Sequence, residues 1–137
     1  MSVQDAAAQG LASKFGLAEG LVIQEVGFSD DSDIAVSEAI ATVAELVDES
    51  YEDVVDGVLL WFREDDGDLV DALMDALVEL TETGVIWLMT PKVGRSGHIE
   101  PSDIADAAPT VGLATTSTIN AATDWQGTRL VSHRSRK

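Results

Sequence analysis

Three short apolar runs, each bounded by Gly, Asp or Pro, punctuate the chain: Leu21–Phe28 (LVIQEVGF), Val58–Phe62 (VLLWF) and Val85–Met89 (VIWLM), the last closed by Pro91. Runs of this length read as strands, and the second and third lack polar alternation, which predicts a sheet covered on both faces. Two segments with a helical period lie between them. Ile34–Val47 sets Val36, Ile40, Val43, Ala44 and Val47 on one stripe, and Asp68–Thr83 does the same with Leu69, Leu73, Ala76, Leu77 and Leu80. Asp68 stands where an N-cap accepts backbone N–H bonds, and Gly84 where a left-handed C-cap is expected. Strand, helix, strand, helix, strand with short connections predicts parallel βαβ units.

After the third run comes a loop rich in Gly and charge, Pro91–Glu100 (PKVGRSGHIE), then a short helix over Pro101–Ala108 ended by Pro109. Leu113–Ala121 and Thr128–His133 read as strands joined by Ala122–Gly127, an antiparallel hairpin. The expected fold is therefore α/β: a three-layer Rossmann-like sandwich, its sheet mainly parallel with a C-terminal antiparallel hairpin. Residues 1–20 form a leader packing on one domain, 21–133, and 134–137 a basic C-terminal tail.

Charge changes this picture by being uneven. The whole chain has a formal net charge of -17 and no Cys. Residues 1–91 hold 21 acids against two bases, Lys14 and Arg63, for a net −19; residues 92–137 hold four acids and six bases, for +2. A field of this sign repels phosphate backbones and disfavours direct nucleic-acid binding. The absence of Cys excludes disulfides, thiolate zinc sites and a cysteine nucleophile. Neither a basic region leading an apolar run nor a stretch near 18 apolar residues is present, so the expectation is a cytoplasmic protein with no membrane association.

Ligands of open α/β sheets bind beyond the carboxyl ends of the strands, where three loops fall: Ser29–Asp33, Arg63–Asp68 and Pro91–His98. Two acidic loops then face one basic loop. Asp30, Asp31, Asp65 and Asp66 are hard oxygen ligands suited to Mg²⁺, although the same residue types also cap helices. Lys92 and Arg95 could hold a phosphate-bearing ligand, with His98 on the same ligand or partner loop, but Gly94-Arg95-Ser96-Gly97 matches neither a Walker loop nor a dinucleotide fingerprint, and no nucleophile elbow is present. Trp61 and Trp87 belong to core strands, whereas Trp125, in the expected hairpin turn, either pins that turn to the body or presents an aromatic anchor. Asp71, Asp75, Glu79 and Glu82, spaced four, four and three, form one acidic stripe on the expected second helix, a docking face for a basic partner or simply a solvated surface.

The runs DVVDGVLLWFREDDGDLVDALMDAL (Asp53–Leu77), GVIWLMTPKVGRSGHIEPSDI (Gly84–Ile104) and TDWQGTRLV (Thr123–Val131) resemble the actinobacterial DUF3052 family, small proteins without an assigned function. The resemblance covers about Ala12 to Arg136. It implies a three-layer α/β domain and transfers no catalytic residue. Together with the absence of assembled catalytic groups, this leads to the expectation of a non-enzymatic binding or regulatory module. It would offer the acidic stripe, Trp125 and the basic loop to a protein partner, with no resident cofactor. The alternative is Mg²⁺-dependent binding or turnover of a phosphorylated metabolite or nucleotide at the strand carboxyl ends. An apolar edge strand in the hairpin leaves a homodimer open.

Overall fold

The computed structural model describes residue 10, residues 12–17 and residues 19–132. The basic tail 134–137, His133 and most of the first ten residues lie outside them. Six strands, β1 (Val22–Val26), β2 (Glu45–Val47), β3 (Val55–Trp61), β4 (Leu80–Pro91), β5 (Leu113–Asn120) and β6 (Trp125–Ser132), form one sheet in the order β2-β1-β3-β4-β6-β5. The first four are mutually parallel; β6 runs antiparallel to both β4 and β5. The mainly parallel sheet with a C-terminal antiparallel hairpin is thus observed.

Helix α1 (Ile34–Ala41) lies on one face and helices α2 (Leu69–Leu77) and α3 (Pro101–Thr110) on the other. Two cores follow. Val36 and Ile40 of α1 and Phe15 pack on Ile23, Leu59, Trp61, Val85, Trp87 and Met89. Leu73 and Ala76 of α2 and Ile104 and Ala108 of α3 pack on Val58, Leu60, Ile86, Leu88 and Leu130. Strands β3 and β4 are buried on both sides, which is why their sequences lack polar alternation. The amino-terminal stretch joins this core directly: Phe15 is buried, stands edge-on to Trp87, and its carbonyl accepts the Trp87 indole N–H at 3.1 Å.

Both expected helices are shorter than their apolar stripes. The first ends at Thr42, whose hydroxyl donates to the Ala39 carbonyl, and Glu45–Val47 pairs in parallel with Val22–Gln24 as β2. The open edge of β1 takes up backbone that periodicity assigned to a helix, since each N–H and C=O beside a strand needs a partner. The second ends at Val78. Glu79 lies in the following turn and Glu82 in β4, so only Asp71 and Asp75 share a helix face and the four-residue acidic stripe does not exist. Gly84 caps no helix: it sits in β4, where an added Cβ would lie 2.8 Å from the Asp56 carbonyl oxygen and closer still to the Leu80 side chain. Pro109 lies within α3, and the left-handed exit is made by Gly112 at φ 81°. The Asp68 cap is as expected, accepting the Asp71 N–H at 3.3 Å. Asp68→Ala should cost about 1 kcal/mol, a melting point lower by roughly 3–5 °C in thermal unfolding.

The connection from β2 to β3 carries no helix. Gln24 holds it instead, its amide donating to the carbonyls of Asp48 and Tyr51. The edge strand β5 exposes Thr115, Thr116, Ser117 and Thr118, so the hairpin edge is polar where an apolar one was expected. Among the described residues no helix is long and apolar enough to cross a membrane.

Candidate functional site

The chain leaves β1 for α1 on one face and leaves β3 for α2 on the other, while β1 and β3 are neighbours. Their carboxyl ends therefore diverge into a crevice, the switch point at which open α/β sheets take ligands. A cavity of about 670 Å³ opens there. Val26, Leu60, Phe62 and Ala72 supply apolar wall, Phe28 and Trp61 supply aromatic surface, and Asp30, Asp31, Arg63 and Asp66 supply charge. Phe28 is 40% exposed and stands edge-on to Trp61, with ring centroids 5.7 Å apart.

Arg63 organises this edge. Its Nε donates to Asp31 at 2.9 Å, Nη2 to Asp31 and to Ser32 Oγ, and Nη1 to the Gly27 carbonyl at 2.8 Å and to Asp66 at 3.3 Å. The guanidinium also lies 5.0 Å from the Trp125 ring centroid. Burial pulls the Arg63 pKa down, but the hydrogen bonds to Asp31 and Asp66 outweigh it and raise the value; the same hydrogen bonds hold the Asp31 carboxyl below its ordinary range. Every arm of the fork thus has an acceptor within the protein. The loop after β1 is fixed from the other side by Glu49, whose carboxylate accepts the Gly27 N–H at 2.9 Å. Gly27 itself, at φ 81°, leaves no room for a side chain, because a Cβ would sit 2.4 Å from the Trp61 carbonyl oxygen. Beneath the crevice Glu25 accepts both the Trp61 indole N–H at 2.9 Å and the Ser37 hydroxyl.

The three loops expected at this edge do converge. Arg63 ties the second to the first, and the Glu64 N–H donates to the Gly97 carbonyl at 3.0 Å, tying it to the third. The side chains take other roles than expected. Asp31 and Asp66 converge on Arg63, Asp65 lies exposed in a short 3₁₀ turn, and among the described residues no three His, Asp or Glu side chains are grouped to hold a metal ion. Arg95 is paired with Asp124 at 2.9 Å, and neither it nor Lys92 lines the cavity. His98 turns inward, Nδ1 against the Pro91 carbonyl at 2.8 Å and Nε2 3.7 Å from Glu100. Trp125 is not in the turn: it opens β6, is 2% exposed, packs edge-on to Trp61 at 4.9 Å and donates its indole N–H to the Asp31 carbonyl at 3.0 Å. It pins the edge and is not displayed to a partner.

Sequence reasoning missed Arg63 as the centre of the site. The signal was present, since Arg63 is one of only two basic residues among 21 acids in residues 1–91 and follows directly on an apolar strand. Glu25 and Glu49 carried no comparable mark.

Solved structures similar to this chain include several methyltransferases. NcsB1, an O-methyltransferase from neocarzinostatin biosynthesis in complex with S-adenosylmethionine, superposes with a TM-score of 0.63 at 13% identity, covering 94% of this chain and 56% of its own. The mitomycin 7-O-methyltransferase MmcR gives 0.59 at 11%, covering 93% and 54%. A SAM-dependent methyltransferase from Aquifex aeolicus gives 0.57 at 12%, covering 90% and 88%. At such identities the likeness is one of fold, and the chain spans about half the length of the first two. Similar sequences include uncharacterised proteins of Mycobacterium tuberculosis and Mycobacterium bovis, each 49% identical over 131 residues, 94% of this chain and 82% of theirs. The family described as "Protein of unknown function (DUF3052)" matches residues 12–134, which takes in all six strands of the Rossmann-like sheet, and the chain belongs to that family.

Proposed function

We propose that the protein is a binding module that receives a cationic or neutral small molecule with an apolar or aromatic body in the crevice between β1 and β3, and that it does so without turning the molecule over. The observation carrying this reading is the saturation of Arg63. Asp30, Asp31 and Asp66 outnumber the single guanidinium, so the formal charge of the lining is −2, and the guanidinium has no donor left for an incoming phosphate. This tells against the phosphorylated metabolite, which would have to displace Asp31 to reach Arg63. Binding is favoured over turnover because no nucleophile among the lining residues is hydrogen-bonded to a base, and Asp31, held ionised, is a poor proton carrier near neutral pH. A methyltransferase-like fold narrows the ligand further: S-adenosylmethionine, named with NcsB1, joins a sulfonium cation to an aromatic base.

Thermal shift and isothermal calorimetry on the full chain test this with S-adenosylmethionine, S-adenosylhomocysteine and Mg²⁺-ATP. The expected order is stabilisation by the sulfonium compound, less by its neutral thioether, and none by ATP. At a hundredfold excess over Kd the stabilisation is about 2.7 kcal/mol. Asp30→Asn, at an exposed position, should weaken the response without lowering the melting point of the free protein, and Phe28→Ala should weaken it too, at a cost of about 1 kcal/mol for the lost contact with Trp61. Stabilisation by ATP equal to that by S-adenosylmethionine, or indifference to all three, overturns the reading.

A further inference from the structure

A second groove, of about 440 Å³, runs between α2 and α3 on the opposite side of the Arg63 loop. Its floor is apolar: Phe62, Ile99 and Ala107 are buried and Leu69 and Val70 half-buried. Its rim is acidic on both walls, with Glu64 and Asp68 at the entry to α2 and Asp103 and Asp106 one turn apart on α3. No Lys, Arg or His lines it. This is the reverse of the first crevice, where Arg63 answers the acids around it. Here Asp68 is occupied in capping α2, while Glu64, Asp103 and Asp106 have no ion-pair partner among the described residues.

We infer that this groove is the docking seat for a basic, amphipathic segment of a protein partner, one that lays an apolar side chain on the floor and sets Lys or Arg against each wall. Charge complementarity selects that occupant. Four carboxylates around an apolar floor repel phosphate backbones and anionic lipid surfaces alike. Nor do the carboxylates group as a metal site. An apolar anchor desolvated in a pocket with charged pairs at its rim is the usual division of labour at protein interfaces, the anchor supplying affinity and the rim supplying register and rate. The volume holds a few side chains, which fits a short segment rather than a broad docking face. The expected acidic docking stripe on α2 thus gives way to a groove whose acids come from two segments, the loop entering α2 and α3.

The full ¹⁵N-labelled chain, titrated with a twelve-residue amphipathic peptide of Leu and Lys, provides the test. Amide shifts are expected to concentrate at Glu64–Val70 and Asp103–Thr110. Asp103→Asn with Asp106→Asn should weaken binding about tenfold and make it less dependent on salt, whereas Asp71→Asn with Asp75→Asn, on the exposed face of α2, should change it less than twofold. A peptide with Ser in place of Leu should bind at least tenfold more weakly. Circular dichroism and melting of the Asn variants establish that they are folded, since all four positions are exposed. Shifts spread evenly over the acidic surface, equal effects of the two Asn pairs, or equal binding of the Ser peptide would each overturn the inference. None of these results bears on ligand binding in the crevice between β1 and β3.

Discussion

Replacing Arg63 with Ala should lower stability by about 3 kcal/mol, a melting point drop near 10 °C. The side chain is 12% exposed and holds two carboxylates, a hydroxyl and the Gly27 carbonyl. Its removal leaves Asp31 and Asp66 near one another without a cation, and takes the donor from the half-buried Gly27 carbonyl. Asp31 is 57% exposed and can rehydrate, which keeps the cost at the lower end for a broken pair. Arg63→Lys, keeping the charge but not the fork, should recover about half. The pH dependence identifies which contact matters. Because the folded-state pKa of Asp31 is depressed, its contribution is present above the ordinary carboxylate value of about 3.9 and is lost as the pH falls through the lower folded value. The gap between wild type and Arg63→Ala should therefore be constant from about pH 6 to 8 and shrink below about pH 4. A gap unchanged down to pH 3 would mean that Arg63 acts through Gly27 and the Trp125 ring instead of Asp31.

The layers of the fold were readable because burial on both faces writes continuous apolar runs, and β3 and β4 carry them. Element ends were not readable, for a physical reason visible at two places. Val43, Ala44 and Val47 continue the stripe of α1, yet the unpaired edge of β1 draws Glu45–Val47 into the sheet, a demand set by a strand some 20 residues earlier. Leu80 continues the stripe of α2, yet it pairs with Val55 at the start of β4. In both cases tertiary hydrogen bonding overrides a local period. The site shows the same division. That three loops meet at the strand carboxyl ends follows from topology alone. That Arg63 would take Asp31 and Asp66 for itself, removing them from any metal, depends on one rotamer reaching across a sheet edge, and nothing in the spacing of Asp30, Asp31, Asp65 and Asp66 encodes it.

The largest single effect should come from Trp125→Ala, about 4 kcal/mol and a melting point drop exceeding 10 °C. Three losses combine: a buried indole leaves a void beside Trp61, the Asp31 carbonyl loses its donor, and the Arg63 guanidinium loses the ring it covers. Trp125→Phe separates them, since it keeps an aromatic surface and removes the N–H, and should cost about 1.5 kcal/mol. A double-mutant cycle of Trp125→Phe with Arg63→Ala should show coupling of about 0.5–1 kcal/mol, because both side chains hold Asp31, one by its backbone and one by its carboxylate. A tryptophan displayed for a partner would behave otherwise, costing less than about 0.5 kcal/mol as an ordinary surface position and lying open to acrylamide quenching. Chemical denaturation with both substitutions distinguishes the two cases. An additive cycle would mean that Trp125 and Arg63 hold the loop after β1 independently of one another. Coupling would mean that the hairpin and the loop after β1 are held as one unit at Asp31, on the wall of the crevice.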